Sequence, residues 1–137
     1  MKVWLTAFLV AWAGYNPARI VCLQGHPSVD GEYHRRPIVV TGTVQRDTPA
    51  PARAGYFEGR TYLVRIDERF RGADSTKTLL IFSENSTGRF PMSVAGRYLL
   101  LVYREKGRLF VDNCGNSGEL VQRRAAVARL RRLVRNQ

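Results

Sequence analysis

The stretch IVVTGTVQ, residues 38–45, carries the main prediction about the fold of this chain. Most of its residues are β-branched, which is typical of a strand. Gly42 interrupts the run, and an isolated glycine inside a strand usually marks a bulge or a sharp bend. The stretch therefore predicts a bent strand, as found in small barrels whose sheet curls back on itself.

Further strand signals follow along the chain. Residues 60–70, RTYLVRIDERF, alternate apolar and polar side chains, which predicts a half-exposed strand. Residues 77–83, KTLLIFS, form a third candidate, and residues 98–104 and 108–112 are typical of a hairpin around a Glu-Lys-Gly turn. The segment 47–56 holds two prolines and a glycine, so we predict a loop there.

Two helices are predicted beside the strands. Ser28 suits the N-cap of a short helix at residues 29–36, because acids follow in its first turn and Pro37 forbids its continuation. From Leu120 to Val134 the apolar residues fall on one arc of a helix and arginines occupy most of the rest. We therefore predict a mainly β protein with flanking helices, a short N-terminal one and an amphipathic C-terminal one, around a closed or partly closed barrel.

Length and composition fit a single folded domain. The chain has 137 residues, of which 45% are hydrophobic and 24% charged, and these values exclude an intrinsically disordered protein. The unusual value is the net charge of +11. About half of this excess lies in residues 120–137, where six arginines occur without an acid.

The N-terminus is predicted to be an export signal. Lys2 precedes an uninterrupted apolar run, residues 3–13, and the run ends in the small-x-small pattern of a cleavage site. It is too short to cross a bilayer as a helix. We expect residues 1–13, or at most 1 to about 21, to be a signal peptide, residues 22–137 to form the domain, and the protein to be secreted or to lie in the periplasm or cell envelope. The alternative is that the apolar run is a buried strand or helix.

The two cysteines of the chain, Cys22 and Cys114, would then meet an oxidising compartment, where an even number favours a disulfide. With two cysteines there is one intramolecular pairing. The bridge would tie the start of the mature chain to its end and stabilise the fold by about 2 to 4 kcal/mol, through the entropy that it removes from the unfolded chain. The alternative is a pair of unrelated free thiols.

Several short motifs occur in an order that resembles one family. They are Cys22, HPS (residues 26–28), IVVTGTV (38–44), RFRG (69–72), GRYLLLVY (96–103) and DNCG (112–115). Together with the export signal they resemble the bacterial secreted relatives of the tissue inhibitors of metalloproteinases, or netrin-like module. The resemblance implies a five-stranded OB-fold barrel flanked by helices, with the N-terminal segment clamped to the barrel by disulfides.

The same resemblance implies a non-enzymatic binding module whose partner is a protein in the envelope or outside the cell, such as a metalloprotease. In the animal inhibitors, the α-amino group and carbonyl of an N-terminal cysteine chelate the zinc of the protease. Cys22 is the residue that matches this inhibitory segment. Leu23 and Gln24 follow it, in place of the Cys-x-Cys pair of the animal proteins.

The sequence contains no enzyme signature. Its two histidines, His26 and His34, do not form H-E-x-x-H, and the chain has no nucleophile elbow, Walker loop or Rossmann glycine pattern. We predict that the chain is not an enzyme and holds neither a metal nor a cofactor. His26, beside Pro27, is predicted to pack or cap locally.

The basic helix supports an alternative function as a binder of polyanions or of an anionic membrane surface. Arginine binds phosphate, sulfate and carboxylate groups through its planar donors. The candidates are Arg124, Arg129, Arg131, Arg132 and Arg135. Anionic glycans and lipid head groups are the partners that an exported protein meets, and nucleic acid is not expected. Without such a ligand, the arginines would be a solvated helix face.

The loop-rich stretch 83–92, SENSTGRFPM, is a third candidate surface, since loops of this length on a rigid barrel often carry recognition. Arg89 and Phe90 are its recognition candidates. Aromatic residues could also offer stacking surfaces, although their strand spacing favours the core. These residues are Tyr56, Phe57, Tyr62, Phe90 and Tyr103.

Overall fold

A computed structural model describes residues 22–55, 57–86 and 88–137. The predicted signal peptide, residues 1–13 and on to about 21, and the aromatic Tyr56 lie outside the described residues. Within these ranges the chain is mainly β with two α-helices, as the sequence periodicity predicts. Neither helix of this described part has the length and apolarity needed to cross a membrane.

The strands alternate with short connections, and the two helices lie near the ends of the described chain. In order the elements are α1 (Val29–Arg35), β1 (Ile38–Ala50), β2 (Gly59–Arg71), β3 (Thr78–Glu84), β4 (Arg97–Glu105), β5 (Arg108–Val111), β6 (Gly118–Glu119), a 3-10 turn (Leu120–Gln122) and α2 (Arg124–Arg135).

Five of these strands hydrogen-bond in a ring. β1 pairs antiparallel with both β2 and β4, β2 pairs with β3, and β4 pairs with β5. The ring closes where β3 meets β5 in parallel, at Ile81 and Leu109. β6 extends the sheet by pairing with the start of β4 at Tyr98 and Leu99. We call the five-strand arrangement the strand ring.

Gly42 allows β1 to take part in two strand pairings. The register between β1 and β2 shifts between Thr41 and Gly42, so the predicted irregularity is confirmed. A Cβ atom at Gly42 would lie 2.5 Å from Cγ1 of Val64 and 2.8 Å from the carbonyl oxygen of Arg65. No side chain fits at these distances, and glycine therefore lets β1 bend tightly against β2.

β1 is longer than the sequence predicts. Residues 47–50 belong to the strand, opposite the start of β2, although the prolines predict a loop over 47–56. The reason is that β4 pairs only with residues 38–43 of β1. Beyond them one edge of β1 has no strand partner, and Pro49 can occupy such an edge without removing a ladder hydrogen bond.

The helix boundaries also differ from the prediction. α1 ends at Arg35, one residue early, because Arg36 precedes a proline and takes an extended backbone conformation. The single helix predicted from Leu120 to Val134 is divided into the 3-10 turn and α2. The division falls at Arg123, whose backbone leaves the helical region, and whose Nε donates a 3.2 Å hydrogen bond to the carbonyl oxygen of Ser117.

Alternate residues of β1 and β4 divide the core into two apolar clusters, because neighbouring side chains of a strand point to opposite faces. Val40 and Leu100 lie in the cluster that fills the strand ring. Val39 and Leu101 lie in a second cluster on the outside, where the two helices cover them. The helix residues in the outer cluster include Tyr33, Val127 and Leu130, all of them buried.

Candidate functional site

The predicted disulfide is confirmed. The Cys22 and Cys114 sulfurs are bonded, and their Cα atoms lie 5.7 Å apart across 92 residues of sequence. The bond attaches the start of the described chain to the turn that follows β5. Both cysteines of the sequence are used in this bond, so the chain presents no thiol nucleophile in this state.

Two hydrogen bonds hold the same segments together beside the disulfide, and a third lies within the turn. The His26 Nδ1 atom donates to the carbonyl oxygen of Cys114 at 3.0 Å. Asn116 Nδ2 donates to the carbonyl oxygen of Pro27 at 2.9 Å. Within the turn, the backbone N–H of Cys114 donates to Asp112 Oδ1 at 2.8 Å. The sequence predicts that His26 packs or caps locally, whereas its hydrogen bond to Cys114 joins it to a residue 88 positions away. The HPS and DNCG motifs therefore form one unit.

A buried carboxylate from α1 completes this unit. Glu32 is fully buried, and its Oε2 accepts hydrogen bonds from the backbone and side-chain nitrogens of Asn116, at 2.7 Å and 2.8 Å. Arg36, one helical turn further along, donates to Oε1 at 3.3 Å. The sequence places Glu32 in the first turn of a helix, where the dipole favours acids, and its spacing from Arg36 fits an ion pair. Nothing local indicates its contact with Asn116.

The contact with Glu32 explains the glycine of the DNCG motif. A Cβ atom at Gly115 would lie 2.3 Å from Oε1 of Glu32, so any side chain would displace the carboxylate from its site. The backbone of the turn approaches α1 closely because this glycine is there. Glu32 and Gly115 are therefore positioning residues for the segment that carries Cys22.

The clamped segment presents a small, exposed surface. Residues 22–25 form a turn in which the N–H of Gly25 donates to the carbonyl oxygen of Cys22 at 2.9 Å. Leu23 is 94% exposed. The segment borders an open, largely polar groove of about 660 Å³, which Arg35, Arg36 and Asp112 also line. We call residues 22–25 together with the turn 112–116 the N-terminal edge.

The predicted anion-binding arginines divide into two groups. Arg129 and Arg131 make two-pronged pairs with acids of the same chain. Arg129 Nε lies 2.7 Å from Oδ1 of Asp30, and Arg131 lies 2.9 Å and 2.7 Å from the carboxylate oxygens of Glu68. The guanidinium groups lower the pKa of Asp30 and of Glu68 by hydrogen bonding to the charged carboxylates. These two arginines attach α2 to α1 and β2.

The remaining three arginines are directed to solvent. The side chains of Arg124, Arg132 and Arg135 are exposed and make no hydrogen bond or ion pair with the described part of the chain. The basic face of α2 that is open to a ligand therefore consists of these three residues rather than five.

The recognition loop is partly packed onto the strand ring. The Phe90 ring lies edge-on to Tyr98, with centroids 6.2 Å apart, and its backbone N–H donates to Ser83 Oγ at 2.9 Å. Arg89 is exposed and lines a groove of about 480 Å³ beside the start of β2. Arg89 thus remains accessible to a partner, while Phe90 is half-buried.

The other aromatic candidates differ in exposure. Tyr62 is buried in the strand ring, as its strand spacing predicts. Tyr103 is half-buried and stacks on Phe110 with centroids 5.6 Å apart. Burial is the main cause that raises the pKa of the Tyr103 hydroxyl. Phe57 is exposed, so it is the one member of this set among the described residues that offers an open ring.

Among residues 22–55, 57–86 and 88–137, no group of three or more His, Cys, Asp and Glu side chains has the arrangement of a metal site. Comparison with protein-family models and with curated protein sequences gives no match to this chain. The likeness to the netrin-like module therefore rests on the motifs of the sequence, and what it implies about function is a proposal.

Proposed function

We propose that the chain is an exported, non-enzymatic binding module with an OB-fold barrel of the netrin-like type. The strand ring supports the barrel, because five strands pair in the order β1-β2-β3-β5-β4 and β4 returns to β1, as in a small five-stranded barrel. The pairings are antiparallel except for the one between β3 and β5. The helix α2 covers one outer face of the ring. The functional surface is the N-terminal edge, and its partner is a protein.

The observation that supports this proposal is the way in which the edge is held. The disulfide holds the segment 22–25 at Cys22, and hydrogen bonds at His26 and Pro27 hold the residues directly after it. The buried carboxylate of Glu32 fixes the turn 112–116, to which the segment is attached. Because the segment is already ordered before it meets a partner, binding does not carry the entropy cost of ordering a loop. The exposed Leu23 supplies an apolar contact on that restrained segment.

Cys22 decides which kind of protein the edge binds. If signal cleavage occurs directly before Cys22, its α-amino group and carbonyl oxygen become free donors at the tip of a rigid edge. Such donors would coordinate the open position of a catalytic zinc in a partner protease. If cleavage occurs after Ala13, residues 14–21 precede Cys22 and its nitrogen is an amide, which is a poor metal ligand. The inhibitor function thus requires the first cleavage site.

The test begins with the intact mass of the exported protein, measured with and without reduction and alkylation, which reports the cleavage site and the thiol state together. Two recombinant forms, one beginning at Cys22 and one at Gly14, are then compared against a panel of zinc metalloproteases. We expect the first form to inhibit at least one protease and the second to inhibit it at least about 100-fold less, because one coordinate bond to the zinc is lost.

Acetylating the α-amino group of the Cys22 form should abolish the inhibition in the same way. Failure of both forms against the whole panel would remove the inhibitor function. Equal inhibition by both forms would show that zinc chelation is not the mechanism.

A second candidate function is favoured by the three unpaired arginines of α2. Arg124, Arg132 and Arg135 give the molecule an exposed cationic surface, which would bind sulfated glycans or anionic head groups and lose affinity with rising salt. Replacing all three with glutamine should lower the salt concentration at which the protein leaves a heparin column. The matched control replaces Arg46, Arg53 and Arg104, which are exposed elsewhere. Equal shifts in both triple variants would indicate net charge alone.

A further inference from the structure

A second groove of the described structure does not belong to the N-terminal edge. It has a volume of about 860 Å³ and lies between the loop before β4 and the start of α2. We call it the α2 groove. Its lining residues are Ser93, Val94, Ala95, Gly96, Arg97, Tyr98, Glu119, Leu120, Val121, Arg124, Val127 and Arg131. None of these residues lines the groove beside Cys22.

One wall of the α2 groove is a loop that is already fixed. The backbone N–H of Ser93 donates to the Tyr98 hydroxyl at 2.9 Å. The same loop bonds to β1, since the N–H of Ala95 donates to the carbonyl oxygen of Val44 at 2.8 Å and Gly96 accepts from the N–H of Val44 at 3.0 Å. A ligand at this wall would meet a surface that needs no ordering.

The opposite wall of the α2 groove is also fixed by hydrogen bonds and strand pairing. Glu119 of β6 is paired with Tyr98 of β4. Directly before β6, the buried Ser117 accepts a 2.8 Å hydrogen bond at its Oγ from the backbone N–H of Leu101. Arg123 then bonds to the Ser117 carbonyl oxygen where the 3-10 turn meets α2. Both walls are therefore attached to β4, and the width of the groove is set by the sheet.

The apolar part of the groove is open to solvent. Val94, on the first wall, is 57% exposed, and Val121, on the second, is 61% exposed. Large aliphatic side chains in this state are a common component of protein-binding surfaces when they lie together in a depression. Leu120 and Tyr98 also line the groove.

The charged part of the groove is positive. Three arginines line it, against the one carboxylate of Glu119. Arg131 is bound to Glu68, and Arg97 lies 3.9 Å from a carboxylate oxygen of Asp67. Arg124 differs from both, because its side chain has no partner within the described ranges. The groove therefore places one uncommitted guanidinium beside two exposed valines.

We propose that the α2 groove binds an acidic peptide segment of a partner protein, in which an aliphatic or aromatic side chain neighbours a carboxylate. Arg124 pairs with the carboxylate through two parallel N–H donors, and Val94 and Val121 cover the apolar side chain. A flat membrane surface would engage the exposed arginines of α2 without needing the valines or the walls. The proposal concerns a different surface from the N-terminal edge and does not depend on the function proposed for it.

The test selects peptides from a random 12-residue phage library on the disulfide-bonded protein that begins at Cys22. We expect the enriched peptides to contain Asp or Glu close to an aliphatic or aromatic residue. The best peptide is then synthesised with a fluorescent label, and its affinity is measured by anisotropy. The variants Arg124→Glu and Val121→Asn should each weaken binding by about tenfold or more, since each removes one anchoring contact.

Arg132→Glu is the matched control, because it makes the same change of charge on the same helix at an exposed residue that does not line the groove. Its effect should stay below about twofold, as expected for a charge outside the contact. Since Arg124 and Val121 are both exposed, neither substitution should unfold the protein, and circular dichroism of each variant checks this.

Three results would overturn the proposal. The first is the absence of enriched peptides, or enrichment of peptides without acids. The second is equal weakening by Arg124→Glu and Arg132→Glu, which would indicate long-range attraction to the basic helix. The third is binding of the protein to vesicles of phosphatidylcholine and phosphatidylglycerol that Arg124→Glu and Arg132→Glu weaken equally and that the peptide does not displace. This result would assign the face to a membrane surface.

Discussion

At the scale of single residues, Glu32 and Gly115 determine how the N-terminal edge is built. The carboxylate of Glu32 is buried, and within the described part of the chain it accepts hydrogen bonds from Asn116 and Arg36. A buried carboxylate is stable only with such partners. Gly115 keeps the turn close enough for Asn116 to serve as that partner.

Adding one methyl group at this point tests the interpretation. Gly115→Ala should lower the free energy of unfolding by about 1 to 3 kcal/mol, because the added carbon overpacks the site and displaces a buried charge from its donors. Urea denaturation measures the change.

Gly88→Ala is the control for the loss of a glycine, since a Cβ atom there meets only Ser86 Oγ at an ordinary 3.8 Å. It should change the stability by less than about 0.5 kcal/mol. If the two substitutions had the same effect, the cost would come from the backbone rather than from Glu32.

At the scale of elements, α2 is attached by an apolar stripe and by two ion pairs. Val127 and Leu130 are buried against the strand ring. Arg129 pairs with Asp30 of α1, and Arg131 pairs with Glu68 of β2. The apolar stripe is what the periodicity of the sequence predicts. The ion pairs give Arg129 and Arg131 a part in attaching the helix, which the sequence did not predict.

These pairs make the attachment of α2 dependent on pH. The pKa of Glu68 is lower in the folded state than its ordinary value, because Arg131 bonds to the carboxylate. A lowered folded pKa gives a stabilisation that is complete above the unfolded pKa, near 4, and is lost as the pH falls through the folded value. We therefore expect Arg131→Met to destabilise the protein at pH 7 and to have little effect near pH 2.

The measurement is urea denaturation of wild type and variant between pH 7 and pH 2. Arg132→Met is the control, because it removes the same charge from a side chain that has no partner among the described residues. Its difference from wild type should vary much less with pH. A difference for Arg131→Met that stays constant down to pH 2 would contradict the role of the Glu68 pair.

At the scale of the whole molecule, the disulfide joins parts that the strand ring leaves separate. Residues 22–28, the described part of the chain before α1, contribute no strand, and Cys22 lies 92 positions before Cys114. Closing a loop of this length restricts the unfolded chain strongly. The bond therefore acts on the stability of the whole domain as well as on the shape of the N-terminal edge.

Removing the disulfide should separate these two effects. The double variant Cys22→Ser with Cys114→Ser should lose about 2 to 4 kcal/mol of unfolding free energy, while its circular dichroism keeps the β signal of the strand ring. Hydrogen exchange should increase most in residues 22–27. Unchanged exchange there would show that His26, Asn116 and Glu32 hold the segment without the bond.

Features that depend on residues close together in the sequence were predictable, whereas contacts between distant residues were not. The irregularity at Gly42, the five strands of the strand ring and the places of the two helices depend on periods and turn residues within a few positions, and these were predictable. The extension of β1 over residues 47–50, the short strand β6 and the division of the C-terminal helix were not predicted. The pairs Arg129 with Asp30 and Arg131 with Glu68 join residues 99 and 63 positions apart, and no local pattern indicates them. The α2 groove has the same origin, because its walls come from separate parts of the chain.

Local chemistry in the sequence thus accounts for the mainly β character, the amphipathic C-terminal helix and the pairing of two cysteines, since backbone propensity, apolar periodicity and cysteine number act without knowledge of the fold. The contacts and exposure of individual side chains were decided by the packing of segments that lie far apart in the sequence. This packing brought Glu32 into contact with Asn116 and kept Leu23 in solvent. It also left Arg124, of the three groove arginines, without a partner among the described residues. The physical reason is that burial and pairing depend on which surfaces meet, and strand pairing brings together surfaces that lie far apart in sequence.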